Sequence, residues 1–406
     1  MTSSSFSFSR RKDAIDLHRM LRGKIEIESR ISPEMIFEQG KGILDLIYTP
    51  NVSYVAAEIG NNKDLAYDYT SKWNNVAIVC DGSRVLGLGN IGPEGAIPVI
   101  EGKSVLFKSL SGINAYPLCI SIQDKEHIIA FVKAIEPIFG AVNVEDIESP
   151  KVLEIVDRLQ KELSIPVFHD DQHGTAVIAL AALINSLKLV VKDLKNTKVL
   201  IAGAGSAGYG IFKILDAAGC REIIVADSHG AIYEGRDKES NRNNLYKSEI
   251  ARRTNPEKIS GNLVEAIRGA DILIGVSGKG GIITKQMVQS MSKDAIVFAL
   301  SNPEPEIYPS DALTAGARIV ATGRSDFANQ VNNAVVFPSV LRALLDLRAK
   351  TLTEDILVGI ANAIASLVDA AHLKENYIVP KVNDPRLLPV VSSTIKNIIG
   401  KQVAEA

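Results

Sequence analysis

The sequence predicts an α/β fold in two parts: an N-terminal α/β domain over residues 1–165, then a Rossmann-type parallel-sheet domain with C-terminal helices over residues 166–406. Three observations carry this. A chain of 406 residues is long for a single hydrophobic core. The segment KVLIAGAGSAGYGIFKILDAAG followed by REIIVAD reads as strand, glycine turn, helix and strand. On both sides of it, short apolar runs alternate with amphipathic segments, the pattern of strands separated by crossover helices.

Composition narrows the function class. Hydrophobic residues make up 46 % and charged residues 23 %, ordinary for a globular chain, and no span is expected to reach the length needed to cross a bilayer. A net charge of -2 and the lack of an Arg- or Lys-rich run exclude a nucleic-acid partner on electrostatic grounds. Cys80, Cys119 and Cys220 are dispersed without a CxxC, which fits a reducing, cytoplasmic setting. The opening MTSSSFSFSRRKD lacks the apolar core of a secretory signal and reads as a flexible tail.

In chain order, residues 13–30 read as a helix and a charged loop, and 33–46 as an amphipathic helix that stops before Tyr48, Thr49 and Pro50. A Tyr ahead of a Thr-Pro turn is most simply a packing residue. VAIVC and RVLGL flank Asp81-Gly82 and predict a β-hairpin over 75–88. GLGNIG, with Gly87, Gly89 and Gly92, has the spacing of a dinucleotide fingerprint but not its context: Pro93 and Gly95 interrupt the helix start, and no acid ends the next strand. A glycine-rich anion pocket is the alternative. Lys103 falls on a helix from 98 to 110, where a lysine is ordinarily at the surface. AYPLCIS and GAVNVED read as strands on either side of a helix over 124–139, and Ser149-Pro150 as the cap and first turn of a helix over 150–163.

FHDDQHGTA then places Asp170 and Asp171 where a short strand passes into an apolar helix over 175–190. One aspartate suffices for a helix cap. Two adjacent carboxylates about 4 Å apart repel by roughly 4 kcal/mol at an effective dielectric near 20. A second acidic pair, Glu145 and Asp146, lies one helix upstream, and oxygen ligands of this kind suit a hard divalent cation. A shared metal site and two solvated loop ends are both open at this point.

Gly203, Gly205 and Gly208, with Ser206 and Ala207 between them, meet every contextual test of a dinucleotide turn, and Asp227 ends the next strand about 20 residues on, where a ribose hydroxyl is bonded. ADILIGVSG, AIVFALSN and ARIVATG supply further strands, whose carboxyl ends are where ligands bind. Asn302 ends one of them, and Asn332 and Asn333 lie just past another. From Pro338 onward the chain reads as helical, most regularly over 353–372.

YTPNV, RVLGLGNIGPEGAIPVIEGKSVLFK, FHDDQHGTA, GAGSAG, LSNPEPE and GRSDFANQVNNAVVFP occur in the order found in the malic enzyme family, and the chain resembles its short, prokaryotic-type members from about residue 15 to about residue 375. The resemblance implies oxidative decarboxylation of L-malate to pyruvate and carbon dioxide, with NAD or NADP and with Mg²⁺ or Mn²⁺. By position, Tyr48 and Lys103 match the family's acid and base and Asp170 a supporting carboxylate. Glu145, Asp146 and Asp171 match its metal ligands. Arg84, Asn302 and Asn332 match its substrate contacts, and Asn302 also reaches the cofactor. Lys103 would have to be neutral to act as a base, through burial or nearby cations. Asp227 favours NAD over NADP by repelling a 2′-phosphate, with His229, Arg236 and Lys238 near enough to accept one. A homodimer or higher homo-oligomer is expected, in which the N-terminal segment could deliver Tyr48 or Lys103 to the partner's site.

The chain departs from the family pattern at Asn51, in place of a glycine, at Ser53-Tyr54-Val55, in place of AEP, and at Asn114, in place of an Asp. Two rival functions share the motifs: a malolactic enzyme, which retains NADH and releases lactate, and a non-catalytic dinucleotide-responsive regulator.

Overall fold

The computed structural model describes residues 11–21, 23–38, 42–236 and 244–405. Two sheets organise them. Strands β1 (Asn75–Cys80), β2 (Asn114–Cys119), β3 (Ala141–Val144) and β4 (Val167–His169) form a parallel sheet in the order β2-β1-β3-β4. β4 lies beyond residue 165 yet belongs to this first sheet. The second sheet contains β5 (Lys198–Ala202), β6 (Glu222–Asp227), β7 (Gly230–Ala231), β8 (Ile272–Gly275), β9 (Ile296–Ala299) and β10 (Ile319–Thr322), in the order β10-β9-β8-β5-β6-β7. It is parallel except for β7, which turns back antiparallel to β6. A two-residue strand gives no periodic signal, so this antiparallel addition to the expected Rossmann-type parallel sheet was not visible in the sequence.

The chain enters through short helices α1 (Arg11–Leu21), α2 (Pro33–Phe37), α3 (Leu44–Ile47), α4 (Val52–Asn61) and α5 (Ala66–Tyr69). α6 (Gly92–Ser111), α7 (Lys125–Ile135) and α8 (Lys151–Glu162) then flank the first sheet. α9 (Thr175–Val190) joins the two halves, and α10 (Ser206–Ala217) follows the glycine turn. α9 is buried along nearly its whole length. This explains its unbroken apolar character, since a helix covered on all sides needs no polar stripe. By length and hydropathy Asp170–Val190 passes as a membrane span, contrary to the sequence reading, but 78 % of its most apolar window is buried inside the protein, so it is a core helix.

Three further expectations need correction. The hairpin over 75–88 does not form. Both edges of β1 are taken, by β2 and β3, so no antiparallel partner can add. Buried Asp81 instead ties down the following loop, accepting from Ser83 N at 2.9 Å and meeting Lys151 Nζ at 2.8 Å. The helix expected over 33–46 is two short helices, α2 and α3. Residues 39–41 lie outside the described residues, and Gly42 is a poor helix former. Ser149 makes no cap: Pro150 occupies that position, with no side-chain cap hydrogen bond.

Candidate active site

Parallel strands end together, so the loops after β1, β3 and β4 meet at one edge of the first sheet. Glu145 and Asp146 leave the end of β3, and Asp170 and Asp171 leave the end of β4. Asp146 holds a left-handed φ of 49°, and its carbonyl accepts Arg84 N at 3.0 Å. Residues Asp170–Gly174 form one wide π-helical turn before α9. Neither aspartate caps that helix, because its N-cap, Gly174, has no side-chain cap hydrogen bond. The capping alternative is therefore set aside. A Cβ at Gly174 would lie 2.0 Å from Asp170 Oδ1, so only glycine lets the turn fold over this carboxylate.

Lys103 reaches the same place from α6. Its Nζ lies 2.5 Å from Glu145 Oε1, bonds Asp170 Oδ2 and stands over the Phe337 ring at 4.8 Å. Asn333 donates to Asp170 Oδ2 at 2.6 Å, and Asn143 to Glu145 Oε2 at 2.9 Å. Sequence reasoning assigned neither asparagine a role. The signal was present for Asn333, which adjoins Asn332 in QVNN, but no spacing rule points to Asn143.

The electrostatics follow from crowding. Ligand oxygens of Glu145, Asp146 and Asp171 all lie within 4.8 Å of one another, with Asp170 beside them. One ammonium cannot balance four carboxylates. Burial, then the charge of Asp171, pushes Asp146 up to about 7. Burial raises Glu145 well above the usual carboxylate range, only partly offset by Lys103. Asp170 moves the same way and for the same reason. Burial pulls Lys103 down, but Asp170 and Glu145 outweigh it and hold the ammonium above its ordinary value. The sequence expectation of a neutral Lys103 thus runs against the carboxylate charge around it.

Buried polar atoms are normally paired. Here Asp146 Oδ2 and Asp170 Oδ1 have no hydrogen-bond partner. Asp171 opens toward solvent, with 39 % side-chain exposure, and its Oδ2 faces His169 Nε2 at 3.6 Å. Three clustered oxygens and an orphaned lone pair are the donor set a hard dication takes, so the residues fit a divalent-cation site.

The second sheet closes the other side. A Cβ at Gly208 would sit 1.8 Å from Gly203 O, which explains the tight strand-to-helix turn. Beside Gly205 there is open space at the N-terminus of α10, the cradle a pyrophosphate needs. Ser206 and Ala207 form the first turn of that helix. Gly210, absent from the sequence reading, lets α10 touch the acidic loop, since a Cβ there would meet Gln172 O at 2.3 Å. Asp227 ends β6. Asn302 follows β9 and lies against Gly323 past β10. The Asn332 Oδ1 accepts Ala334 N at 2.8 Å, capping a short 3-10 turn. The Arg84 guanidinium lies against Gly278, and Gly87 against Asn302 and Pro303, so the glycine-rich loop of the first domain meets the strand ends of the second. GLGNIG opens α6 at Gly92, with Pro93 in its first turn rather than interrupting it.

Tyr48 is not part of this constellation. It ends α3 and is 68 % exposed. Phe37, Leu46 and Tyr54 are exposed on the same N-terminal segment. Of the departures, Asn51 donates to Asp45 Oδ2 at 3.1 Å on that segment. Asn114 begins β2, at the end of the sheet opposite the acidic cluster, and bonds Lys108 and Asn75.

Comparison with known proteins agrees with this geometry. Residues 28–160 match the family model for the malic enzyme N-terminal domain, and residues 172–403 that for the malic enzyme NAD binding domain. A bifunctional malic/malolactic enzyme of Bacillus subtilis is 47 % identical over 387 residues, covering 95 % of this chain and 92 % of its own. An NAD-dependent malic enzyme of Geobacillus stearothermophilus is 47 % identical, covering 92 % of this chain and 76 % of its own. The crystal structure of an NAD-dependent malic enzyme from Thermotoga maritima superimposes with a TM-score of 0.88 at 44 % identity, covering 94 % of this chain and 98 % of that one. With both domain models matched and relatives this similar over nearly the whole length, the chain belongs to the malic enzyme family.

Proposed function

We propose that this protein oxidatively decarboxylates L-malate to pyruvate and carbon dioxide in the cleft between its two sheets, with NAD as preferred hydride acceptor. The observation that carries the reading is the meeting of Lys103, Glu145, Asp146, Asp170 and Asp171 at the sheet edge that faces the glycine turn. Glu145, Asp146 and Asp171 would hold a divalent cation, which supplies Lewis acidity to the substrate oxygens when bound. With Glu145 serving as a ligand, Lys103 is left to Asp170, which positions its Nζ at the C2 hydroxyl; Lys103 takes that proton as the neutral amine, after giving up the ammonium proton that the carboxylates hold when no cation offsets them. Asn333 fixes Asp170 from the other side. Asn302, Asn332 and Arg84 would contact the substrate carboxylates, a role supported for Arg84 by its guanidinium lying against Gly278, past the end of β8. The anionic product is protonated at C3 by Tyr48. Because the phenol is exposed on a segment rich in exposed apolar side chains, we assign its placement to a second copy of the chain, in a symmetric dimer. The three free cysteines fit the cytoplasm.

The test is a malate assay with NAD or NADP, with and without Mn²⁺, in which pyruvate and lactate are read together. NADH and pyruvate formed in equal amounts and only with the cation are expected; NAD binding without turnover would reject the reading. The malolactic reading is favoured by one observation, the malic/malolactic double activity in the name of the Bacillus subtilis relative. Lactate without net NADH would select it.

A further inference from the structure

Asp227 is the residue from which NAD preference was read, yet its carboxylate is already full. Oδ1 accepts His229 N at 2.9 Å and Arg236 Nη1 at 3.0 Å. Oδ2 accepts Arg236 Nη2 at 2.7 Å and Lys247 Nζ at 2.7 Å. A carboxylate offers about four lone-pair sites, and four donors occupy them. Burial opposes the charged form, but Arg236 and Lys247 outweigh it and hold the acid far below the usual range. A ribose hydroxyl can bond Asp227 only if one of these donors withdraws.

The two cations differ in how firmly they are held. Arg236 grips the carboxylate with two nitrogens and also donates to Gly230 O at 2.9 Å and Ala231 O at 3.2 Å. Its side chain is 9 % exposed. Lys247, from the helix Leu245–Arg253, makes a single-nitrogen contact and is 22 % exposed. An ammonium on a flexible stem swings away more readily than a planar bidentate fork. Lys247 is therefore the donor that yields. The group of three carries two positive charges and one negative, so the ribose end of the site has a net positive charge that NAD does not need.

We propose that Arg236 and Lys247 are specificity-determining residues, a ready-made cation pair for a ribose 2′-phosphate that Asp227 neutralises. The inference rests on the dinucleotide reading above. Asp227 does more than repel the phosphate: it occupies the place of the phosphate between the two cations. Removing its charge leaves a guanidinium and an ammonium converging on one point, the arrangement that binds phosphate by charge-assisted hydrogen bonds. The sequence pointed to Arg236, His229 and Lys238 near Asp227. Lys238 lies outside the described residues, His229 contributes its backbone N–H, and Lys247 was missed because it arrives from a separate helix.

The experiment uses two probes that do not require malate turnover, 5′-AMP and 2′,5′-ADP, titrated calorimetrically into the full-length protein and its variants. Asp227→Ser should raise the affinity for 2′,5′-ADP relative to 5′-AMP by at least about a hundredfold. Adding Lys247→Ala to that variant should return tenfold or more of the gain. Lys247→Ala alone should tighten 5′-AMP severalfold by freeing an acceptor. Asp227→Asn, nearly isosteric, replaces the serine variant if the latter does not fold. An unchanged ratio in the Asp227 variant, or a ratio indifferent to Lys247 in that background, overturns the proposal. A loss of 5′-AMP binding by the unmodified protein would instead overturn the dinucleotide reading itself.

Discussion

Replacing Asp171 by Asn tests the acidic cluster most directly, because the structure predicts both a weaker cation and a changed pH dependence. Oxygens of Glu145, Asp146 and Asp171 no more than 4.8 Å apart repel, when ionised, by at least about 3.5 kcal/mol per pair at an effective dielectric of 20. Asp171→Asn removes two of the three pairs and one of the three charges that attract a dication. The cation competes with protons for the same oxygens. With Asp146 at about 7, cation binding must displace its proton at lower pH, so affinity falls as pH drops through 7. From this group alone, binding at pH 5 should be about a hundredfold weaker than above pH 7, two units of pKa at about 1.4 kcal/mol each. Glu145, also raised by burial, steepens the fall. In Asp171→Asn the second-largest cause of the Asp146 shift is gone, so the dependence should move to lower pH and flatten, while Mn²⁺ affinity at pH 8 drops a hundredfold or more. The assay is the free Mn²⁺ signal in electron paramagnetic resonance, titrated from pH 5 to 8 on protein whose fold is checked by circular dichroism. Unaltered Mn²⁺ affinity and pH dependence in the folded variant would refute the shared site.

Three other experiments probe separate parts. Tyr48→Phe should lose malate turnover by roughly 10² to 10⁴-fold while still reducing oxaloacetate with NADH, whereas Lys103→Ala should damage both; mixing Tyr48→Phe with Asp170→Asn chains should restore activity if the phenol crosses the dimer, and no recovery in proven heterodimers would place it within its own subunit. Gly210→Ala puts a Cβ 2.3 Å from Gln172 O, so α10 must move off the acidic loop; a loss of about 2 kcal/mol or more in urea unfolding is expected, and a change below 0.5 would show the contact to be soft. His173, buried and accepting His169 N at 3.1 Å, is pulled by burial, and further by His169, down to about 3. Since that lies below its unfolded value near 6.5, the unfolded chain binds the extra proton, and the stability contributed is complete above about 6.5 and lost toward 3 at up to about 1.4 kcal/mol per pH unit. His173→Gln should flatten the pH dependence of unfolding free energy in that window, and an identical slope would mean His173 does not titrate on unfolding.

The α/β layers and the dinucleotide turn were legible because their signals are local. Lys198 to Asp227 carries strand, glycines, helix and acid within one window, and α9 announces itself by sixteen residues with a single charge. Asp81-Gly82 misled for the opposite reason. A turn dipeptide between apolar runs predicts a hairpin only if an edge of the first strand is free, and β2 and β3, both later in the chain, take the two edges of β1. Lys103 was an ordinary helix lysine by pattern and became a site residue only through resemblance, because the carboxylates that define its role come from two other loops.

Gly174 and Gly210 show what a motif leaves unsaid. Each is required where backbone meets backbone or carboxylate across distant segments, Gly174 under Asp170 and Gly210 against Gln172. Gly210 follows the recognised glycine turn by only two positions, yet the fingerprint does not need it. Gly210 seats α10 directly on the turn that carries Asp170 and Asp171 and that leaves the first sheet through β4. A shift of α10 is therefore a shift of the acidic loop, and the approach of Gly210 to Gln172 O ties the helix after the glycine turn to the turn that carries Asp170 and Asp171.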